Sequence, residues 1–297
     1  MAVRARTLDR ANDSPRDLLV SGHVNVDRFL ALEEFPPPDR TVPVVAYREE
    51  LGGTAWNIAR TAARYGVRSG LVTRIGADFP SEFSVAMRSS GIDLRGVERT
   101  EGIRTPSAYI LEDAQGRQRT LMDQGAMEAP PGAPPARPWL REYSWVHLTT
   151  GPPEYQLSLQ RQARALGLRI AADPAQEVHY RWDRERLRTL LADSEILFGN
   201  RSEITRVARL LSVPRVESLV ERVPLVVRTE GPRGATAFAR TGSVHVPSVR
   251  PRRIRTVVGA GDSFRGGFYS AWFAGAELAA CLRAGTRAAA RGMEGTQ

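Results

Sequence analysis

Hydrophobic positions along the chain follow two alternating periods. Leu18-Leu19-Val20-Ser21-Gly22 is a short apolar run closed by glycine, the pattern of a buried strand. After Gly52-Gly53, the residues Ala55, Ile58, Ala59 and Ala62 recur at helical spacing, with Thr54 placed to cap the start and Gly66 to end it. Residues 70–75 then read as a strand and 81–90 as a helix. Further on, 145–148, 168–172, 195–198 and 225–228 read as short buried strands, separated by helical stretches near 154–166, 184–192, 201–211 and 215–222. Such alternation predicts an α/β fold, a mainly parallel sheet with helices on both faces.

Two segments break the alternation. Residues 30–51 carry Pro36-Pro37-Pro38 and an extended stretch without helical period, and 95–125 contain Asp113-Ala114-Gln115-Gly116 between two strand-like pieces, a hairpin pattern. Both read as β insertions forming a small lid on a single domain that spans 1–297, with 1–16 as a flexible tail and a proline-rich connection from Pro130 to Pro138.

Composition changes the picture at one point. All 42 basic residues are arginine, and the chain has no lysine. A P-loop needs its lysine on the phosphates, protein kinases need a strand lysine, and a Schiff-base enzyme needs an amine that arginine cannot supply. Phosphate chemistry must then rest on backbone N–H groups, helix N-termini, metal or arginine. The net charge of +9 comes from arginines spread along the chain, so no nucleic-acid partner is expected. One cysteine and four histidines argue against disulfides and a structural zinc site. Residues 1–17 lack an apolar stretch and no run approaches membrane-spanning length, so a cytoplasmic protein without a membrane partner is expected.

The strongest local chemistry lies in Gly259-Ala260-Gly261-Asp262-Ser263-Phe264. Phe264, Phe268, Ala271, Trp272 and Gly275 keep helical spacing, so a helix starts at about Gly261. Small residues at its mouth let a ligand approach amides that have no intrahelical partner, and the helix dipole adds to this anion site. An aspartate in that first turn, kept ionised, is placed to take a hydroxyl proton while the amides stabilise a transferring phosphate. In isolation such an aspartate more often only stabilises its helix. The motif is not a dinucleotide fingerprint, which would need glycine at Phe264. Gly266 and Gly267 inside the helix each cost about 1 kcal/mol relative to alanine, which implies close packing there.

The segment GGTAWNIARTAARYGVRSGLVTRIGADFPSE together with VGAGDSFRGGF, about 200 residues further on, resembles the paired motifs of the ribokinase-like, phosphofructokinase-B family of sugar and nucleoside kinases. The resemblance covers nearly the whole chain and implies a Rossmann-type α/β domain with a small β lid, using ATP and Mg2+. It implies Asp262 as catalytic base and Gly259, Ala260 and Gly261 as the anion hole. It further implies Asn25, Asp27, Gly52, Gly53 and Asn57 as substrate contacts, and Thr229, Gly231 and Gly234 as a nucleotide-phosphate loop. Asn200 and Glu203 would organise the magnesium through water. Alternate residues of a strand face one way, so Asn25 and Asp27 can both receive vicinal hydroxyls. Taken alone, Asn200 with Glu203 is more often a helix cap. At Thr256 the family usually carries an aspartate tied to a monovalent-cation site, and potassium activation is not expected.

Within the family, His147-Leu148-Thr149-Thr150-Gly151-Pro152-Pro153-Glu154 and Ala172-Asp173-Pro174-Ala175-Gln176-Glu177 resemble an archaeal-type group that has carried both phosphofructokinase and nucleoside-kinase names. The partner is therefore a sugar phosphate or a nucleoside. A sugar phosphate needs a cationic grip, for which Arg28, Arg104, Arg117 and Arg119 are candidates; a nucleoside needs a platform, for which Tyr109, Phe29 and Trp56 are candidates. The first expectation is fructose 6-phosphate, with a nucleoside 5′-hydroxyl as the alternative and simple furanoses third; a non-catalytic sugar- or nucleotide-binding protein is the alternative of another class. A homodimer is expected from the lid-mediated dimers of relatives.

Overall fold

The computed structural model of the chain describes residues 16–129 and 137–295. The chain begins in β1 (Arg16–Ser21), enters a small sheet through β2 (Asn25–Ala31) and β3 (Ala46–Gly52), and returns through α1 (Thr54–Arg64) to β4 (Ser69–Gly76). From there α2 (Ser81–Arg88) leads to β5 (Asp93–Thr100), and the hairpin β6 (Ser107–Glu112) and β7 (Gln118–Asp123) re-enters the small sheet. Strand–helix alternation resumes with β8 (Tyr143–Leu148), α3 (Pro153–Ala165), β9 (Arg169–Ala172), α4 (Arg184–Ala192), β10 (Ile196–Asn200), α5 (Arg201–Leu210) and β11 (Leu225–Thr229). A second hairpin, β12 (Ala235–Ala239) and β13 (Gly242–Val246), precedes α6 (Ala260–Phe273) and α7 (Leu278–Met293).

The large sheet has nine strands in the order β13-β12-β11-β10-β9-β8-β1-β4-β5, parallel except for the β12–β13 edge. Four strands in the order β3-β2-β6-β7 form the lid. Burial on both faces follows from the pleat. Leu18 and Val20 of β1 join one core with Ile58, Phe264 and Phe268, while Leu19 joins the other with Val146, Leu159 and Ile170. A Cβ on Gly266 would overlap Thr61 of α1, and one on Gly267 would overlap Ala288 of α7, so the two glycines let α6 lie close to both neighbours.

Four sequence expectations need correction. Thr54 is the first helical residue and the cap position is Gly53, at φ 102°. Residues 216–221 form a 3-10 turn: Val216, Leu219 and Val220 do pack on the core, but the stretch is confined between Pro214 and Pro224 and is short enough for the tighter helix. The second lid segment starts late: Asp93–Thr100, which overlaps the expected 95–125, pairs parallel with β4 as the edge strand of the main sheet. Its polar residues reflect an edge, not a lid. Finally, the expected tail 1–16 ends inside β1 at Arg16; residues 1–15, and 130–136 of the proline-rich connection, lie outside the described residues.

Candidate active site

The lid and the helical layer meet at Asp262. α6 starts from Gly259, which sits in the left-handed region at φ 74°. The amide of Ala260 donates to Val257 O (3.3 Å) and that of Ser263 to Gly259 O (2.9 Å). Among the described residues this leaves the amides of Gly261 and Asp262 without a backbone acceptor, at the positive end of the helix. Asn57 of α1 reaches across 205 positions of sequence, its Nδ2 donating to Asp262 Oδ2 at 3.1 Å. Burial pushes the Asp262 carboxyl up to about 6, against the downward pull of Arg265 and Asn57. Burial thus works against the sequence expectation that Asp262 is kept ionised.

Asn25 and Asp27 stand at the start of β2, on the lid, and the Asn25 side-chain amide donates to Asp27 Oδ1. The β2–β3 register sets Asn25 opposite Gly52 and Asp27 opposite Glu50. A Cβ on Gly52 would overlap the Asp27 carboxylate, and one on Gly53 would overlap the His23 carbonyl and the Asn25 side chain. Both glycines thus hold open the space in which the Asn25–Asp27 pair stands. Burial, followed by the nearby charges of Asp262 and Glu50, pushes Asp27 up to about 7 despite the hydrogen bond from Asn25. A cavity of about 720 Å³ brings Asp27, Phe29, Trp56, Asn57 and Gly259 onto one wall system.

The acceptor candidates separate by strand parity. Asp27 and Phe29 share the cleft face of β2, whereas Arg28 points to the other face, with Tyr109 paired beside it. There Arg28 Nε donates to Glu49 (2.9 Å) and Nη1 to Tyr109 OH (3.0 Å). Arg104 pairs with Asp123 at 3.0 Å, Arg117 Nε donates to Asp113 at 2.6 Å, and Arg119 lies over the Phe35 ring at 4.3 Å. These four arginines do not converge on the cleft. Two that the sequence reading passed over, Arg60 and Arg64, do line the cavity; their signal was the i, i+4 spacing from Trp56 along α1.

Asn200 and Glu203 form a reciprocal cap of α5: the Glu203 amide donates to Asn200 Oδ1 (3.0 Å) and the Asn200 amide to Glu203 Oε2 (2.7 Å). Glu203 is buried, and burial together with Asp173 and Asp262 raises its carboxyl while Arg265 opposes the rise. Asn200 lies directly beside Thr229 in the β10–β11 register, so the two phosphate-side candidates share one strand-end edge. Thr229 opens a tight turn in which Gly231 and Gly234 take φ 58° and 97° and the Glu230 amide donates to Gly234 O at 2.8 Å. A Cβ on Gly234 would overlap the Val246 carbonyl. Glu230 anchors the turn through Arg201 (2.8 Å) and Arg228 (2.6 Å).

The sequence reading noted His147 and Asp173 only as part of a resemblance and missed the buried polar cluster they form under Asp262 with Arg265 and Tyr269. Its only local signal was an arginine in the apolar stripe of α6.

A nine-stranded α/β sheet with a four-stranded lid closing over a helix-start aspartate defines an ATP-dependent phosphotransferase that acts on hydroxyl groups. Residues 15–292 match the pfkB family carbohydrate kinase, and the chain belongs to that family. It is 34% identical over 270 residues to a nucleoside kinase of Methanothermobacter thermautotrophicus, covering 90% of this chain and 86% of that one. A cytidine kinase of Thermococcus kodakarensis is 30% identical over 275 residues, covering 91% and 93%. The crystal structure of the Methanocaldococcus jannaschii nucleoside kinase, an archaeal member of the ribokinase family, superposes with a TM-score of 0.85 at 27% identity, covering 95% of this chain and 93% of that one. Among the described residues no helix is long and apolar enough to cross a membrane.

Proposed function

We propose that this kinase transfers the γ-phosphate of ATP to the 5′-hydroxyl of a nucleoside. The observation that carries the reading is the convergence of Asp27, Asn57 and Gly259 on one cavity whose walls include Phe29 and Trp56. The polar end suits a ribose and the aromatic surfaces suit a base. Fructose 6-phosphate, the first expectation from sequence, loses its support because Arg28, Arg104, Arg117 and Arg119 are engaged elsewhere and the similar proteins described above are nucleoside kinases.

In this mechanism Asn25 and Asp27 receive the ribose hydroxyls. Asn57 holds Asp262 Oδ2, which leaves Oδ1 to take the proton of the attacking hydroxyl. The Gly261 and Asp262 amides face the transferring phosphate, with Gly259 and Ala260 small enough to admit it. Thr229, Gly231 and Gly234 cradle the nucleotide phosphates by backbone alone, as a lysine-free chain requires. For magnesium, the described residues contain no group of three protein ligands, but a buried carboxylate beside a phosphate site fits a cation that keeps most of its waters. Asn200 and Glu203 would hold it through water, where it would neutralise charge building on the phosphates.

The pH dependence follows with a definite sign. Asp262 acts only as the carboxylate, so kcat/KM, which reports the unliganded enzyme, is expected to fall as pH drops through about 6. A profile flat down to pH 4.5 would remove Asp262 from the base role.

The acceptor is tested by coupled ADP release over cytidine, inosine, adenosine, ribose, fructose and fructose 6-phosphate. Turnover of at least one nucleoside with none on fructose 6-phosphate is the expected result; the reverse pattern overturns the reading. Arg60 and Arg64 favour a second reading, a furanose that carries its own phosphate, and a furanose 1-phosphate belongs in the same screen.

A homodimer is part of the proposal. The outer lid face, opposite Asp27 and Phe29, exposes Tyr47 (56%) and Leu121 (63%) around half-buried Leu30 and Leu111. Light scattering should give twice the chain mass for the wild type and a monomer for Leu121→Asp; a wild-type monomer at all concentrations rejects it.

A further inference from the structure

Beneath the candidate base, α6 carries a charged side chain where its apolar stripe should continue. Arg265 is one helical turn from Asp262 and is only 6% exposed. Its Nη1 donates to the Gly261 carbonyl at 2.9 Å, tying the guanidinium to the turn that presents the anion-binding amides. Its Nη2 donates to Asp173 Oδ1 at 2.9 Å and its Nε donates to Asp173 Oδ2, a bidentate fork. Asp173, fully buried just past the end of β9, is held in turn by His147 of β8 (Nε2 to Oδ2, 3.2 Å). His147 Nδ1 meets Tyr269 OH at 2.8 Å, one turn further along α6. A neutral imidazole satisfies the whole chain, with Nε2–H donating to Asp173 and Nδ1 accepting from the tyrosine. Burial keeps His147 neutral by lowering it below its ordinary value.

Such a cluster is costly to bury, and replacing a buried pair with apolar residues is often neutral or better for stability. Packing therefore does not account for it. The charges facing Arg265 come from three elements: Asp262 on α6 itself, Asp173 after β9 and Glu203 on α5. A Cβ on Gly261 would lie 3.0 Å from Arg265 Nη1, so the glycine of the anion hole also leaves room for the guanidinium.

We propose that Arg265, aimed by Asp173, is a positioning residue for phosphoryl transfer: it fixes the Gly261 carbonyl and the first turn of α6 and supplies the buried positive charge beside Asp262. His147 and Tyr269 brace Asp173 from beneath. The groups facing the base are opposed: Arg265 and the Asn57 hydrogen bond favour its carboxylate, while Asp173, Glu203 on α5 and Asp27 across the cleft on β2 oppose it. The inference rests on Asp262 as the base, not on the nucleoside as acceptor. Any acceptor that the wild type phosphorylates serves for the test, and a failure of nucleosides in the screen leaves it standing.

The test is the pH profile of kcat for wild type, Arg265→Gln, Asp173→Asn and Arg265→Lys, each checked for folding by circular dichroism and thermal melting. Arg265→Gln is expected to lower kcat about 10²-fold through the misplaced first turn, with KM values little changed. Its acid limb should move up by about one pH unit or more, since an adjacent positive charge is lost. In Asp173→Asn the limb should move down. Opposite shifts show that both charges act on the base, and a pair that served stability alone would lower the melting temperature while leaving kcat at its optimum pH unchanged. Unchanged kcat in folded Arg265→Gln, or limbs that move the same way, overturns the proposal. Should Arg265→Gln not fold, Arg265→Lys carries that arm: charge kept and fork lost should lower kcat with the limb in place, and full activity there rejects the positioning role.

Discussion

Asp262→Asn is expected to reduce kcat by about 10²–10⁴-fold, the range that a general base contributes, while the folded protein becomes more stable. The second half follows from linkage. The folded-state carboxyl titrates at about 6, above the ordinary 3.8, because burial outweighs Arg265 and Asn57. A raised carboxyl costs nothing while it is protonated in both states. The cost grows as pH rises from about 4 to about 6 and is complete above that. The difference corresponds to at most about 3 kcal/mol at neutral pH. Urea unfolding of Asp262→Asn at pH 8 should therefore show a higher midpoint than wild type, with the gap closing toward pH 4. A variant that loses turnover but also loses stability at pH 8 would mean that Asp262 is held by contacts stronger than its burial penalty, and a variant that keeps turnover would end its assignment as base.

The second large effect concerns a single methyl group. In Gly52→Ala the backbone is not forced into the left-handed region, but the added Cβ meets the Asp27 carboxylate. Asp27 must swing away, and its hydrogen bond from Asn25 breaks with it. Misplacing a substrate-orienting group by about 1 Å costs on the order of 10²-fold, which should appear in kcat/KM for the acceptor with KM for ATP little changed. Gly53→Ala is harsher, since it adds a φ of 102° to an overlap with the His23 backbone, and it should lower thermal stability as well. If Gly52→Ala keeps wild-type kcat/KM, Asp27 does not hold the acceptor.

Some of this site was legible in the chain because its geometry is local. Gly259 to Asp262 are contiguous, and the apolar period of α6 fixes where a helix begins and so where free amides collect. Strand parity was equally available: β2 alternates, so Asp27 and Phe29 must share a face that Arg28 does not. Treating Arg28 and Tyr109 as cleft residues missed that period. The 93–100 segment was misplaced for another reason. An edge strand of a parallel sheet is polar on one side, and its pattern alone does not separate it from a lid strand. Contacts across long separations left no trace in the pattern. Asn57 and Asp262 are joined over 205 positions, and Asp173 and Arg265 over 92.

The sequence by itself determined the kind of chemistry. The absence of lysine removed whole classes of phosphate enzymes, and a glycine-framed aspartate at a helix start left backbone amides and a carboxylate to do the work. Such properties depend on residue identity and on neighbours within a turn or two of helix. The tertiary structure decided which arginines face the cavity, how far Asp262 and Asp27 are shifted, and that an arginine lies beneath the base. Those quantities depend on burial and on charges a few ångströms away, brought together by strands and helices that the chain order keeps far apart.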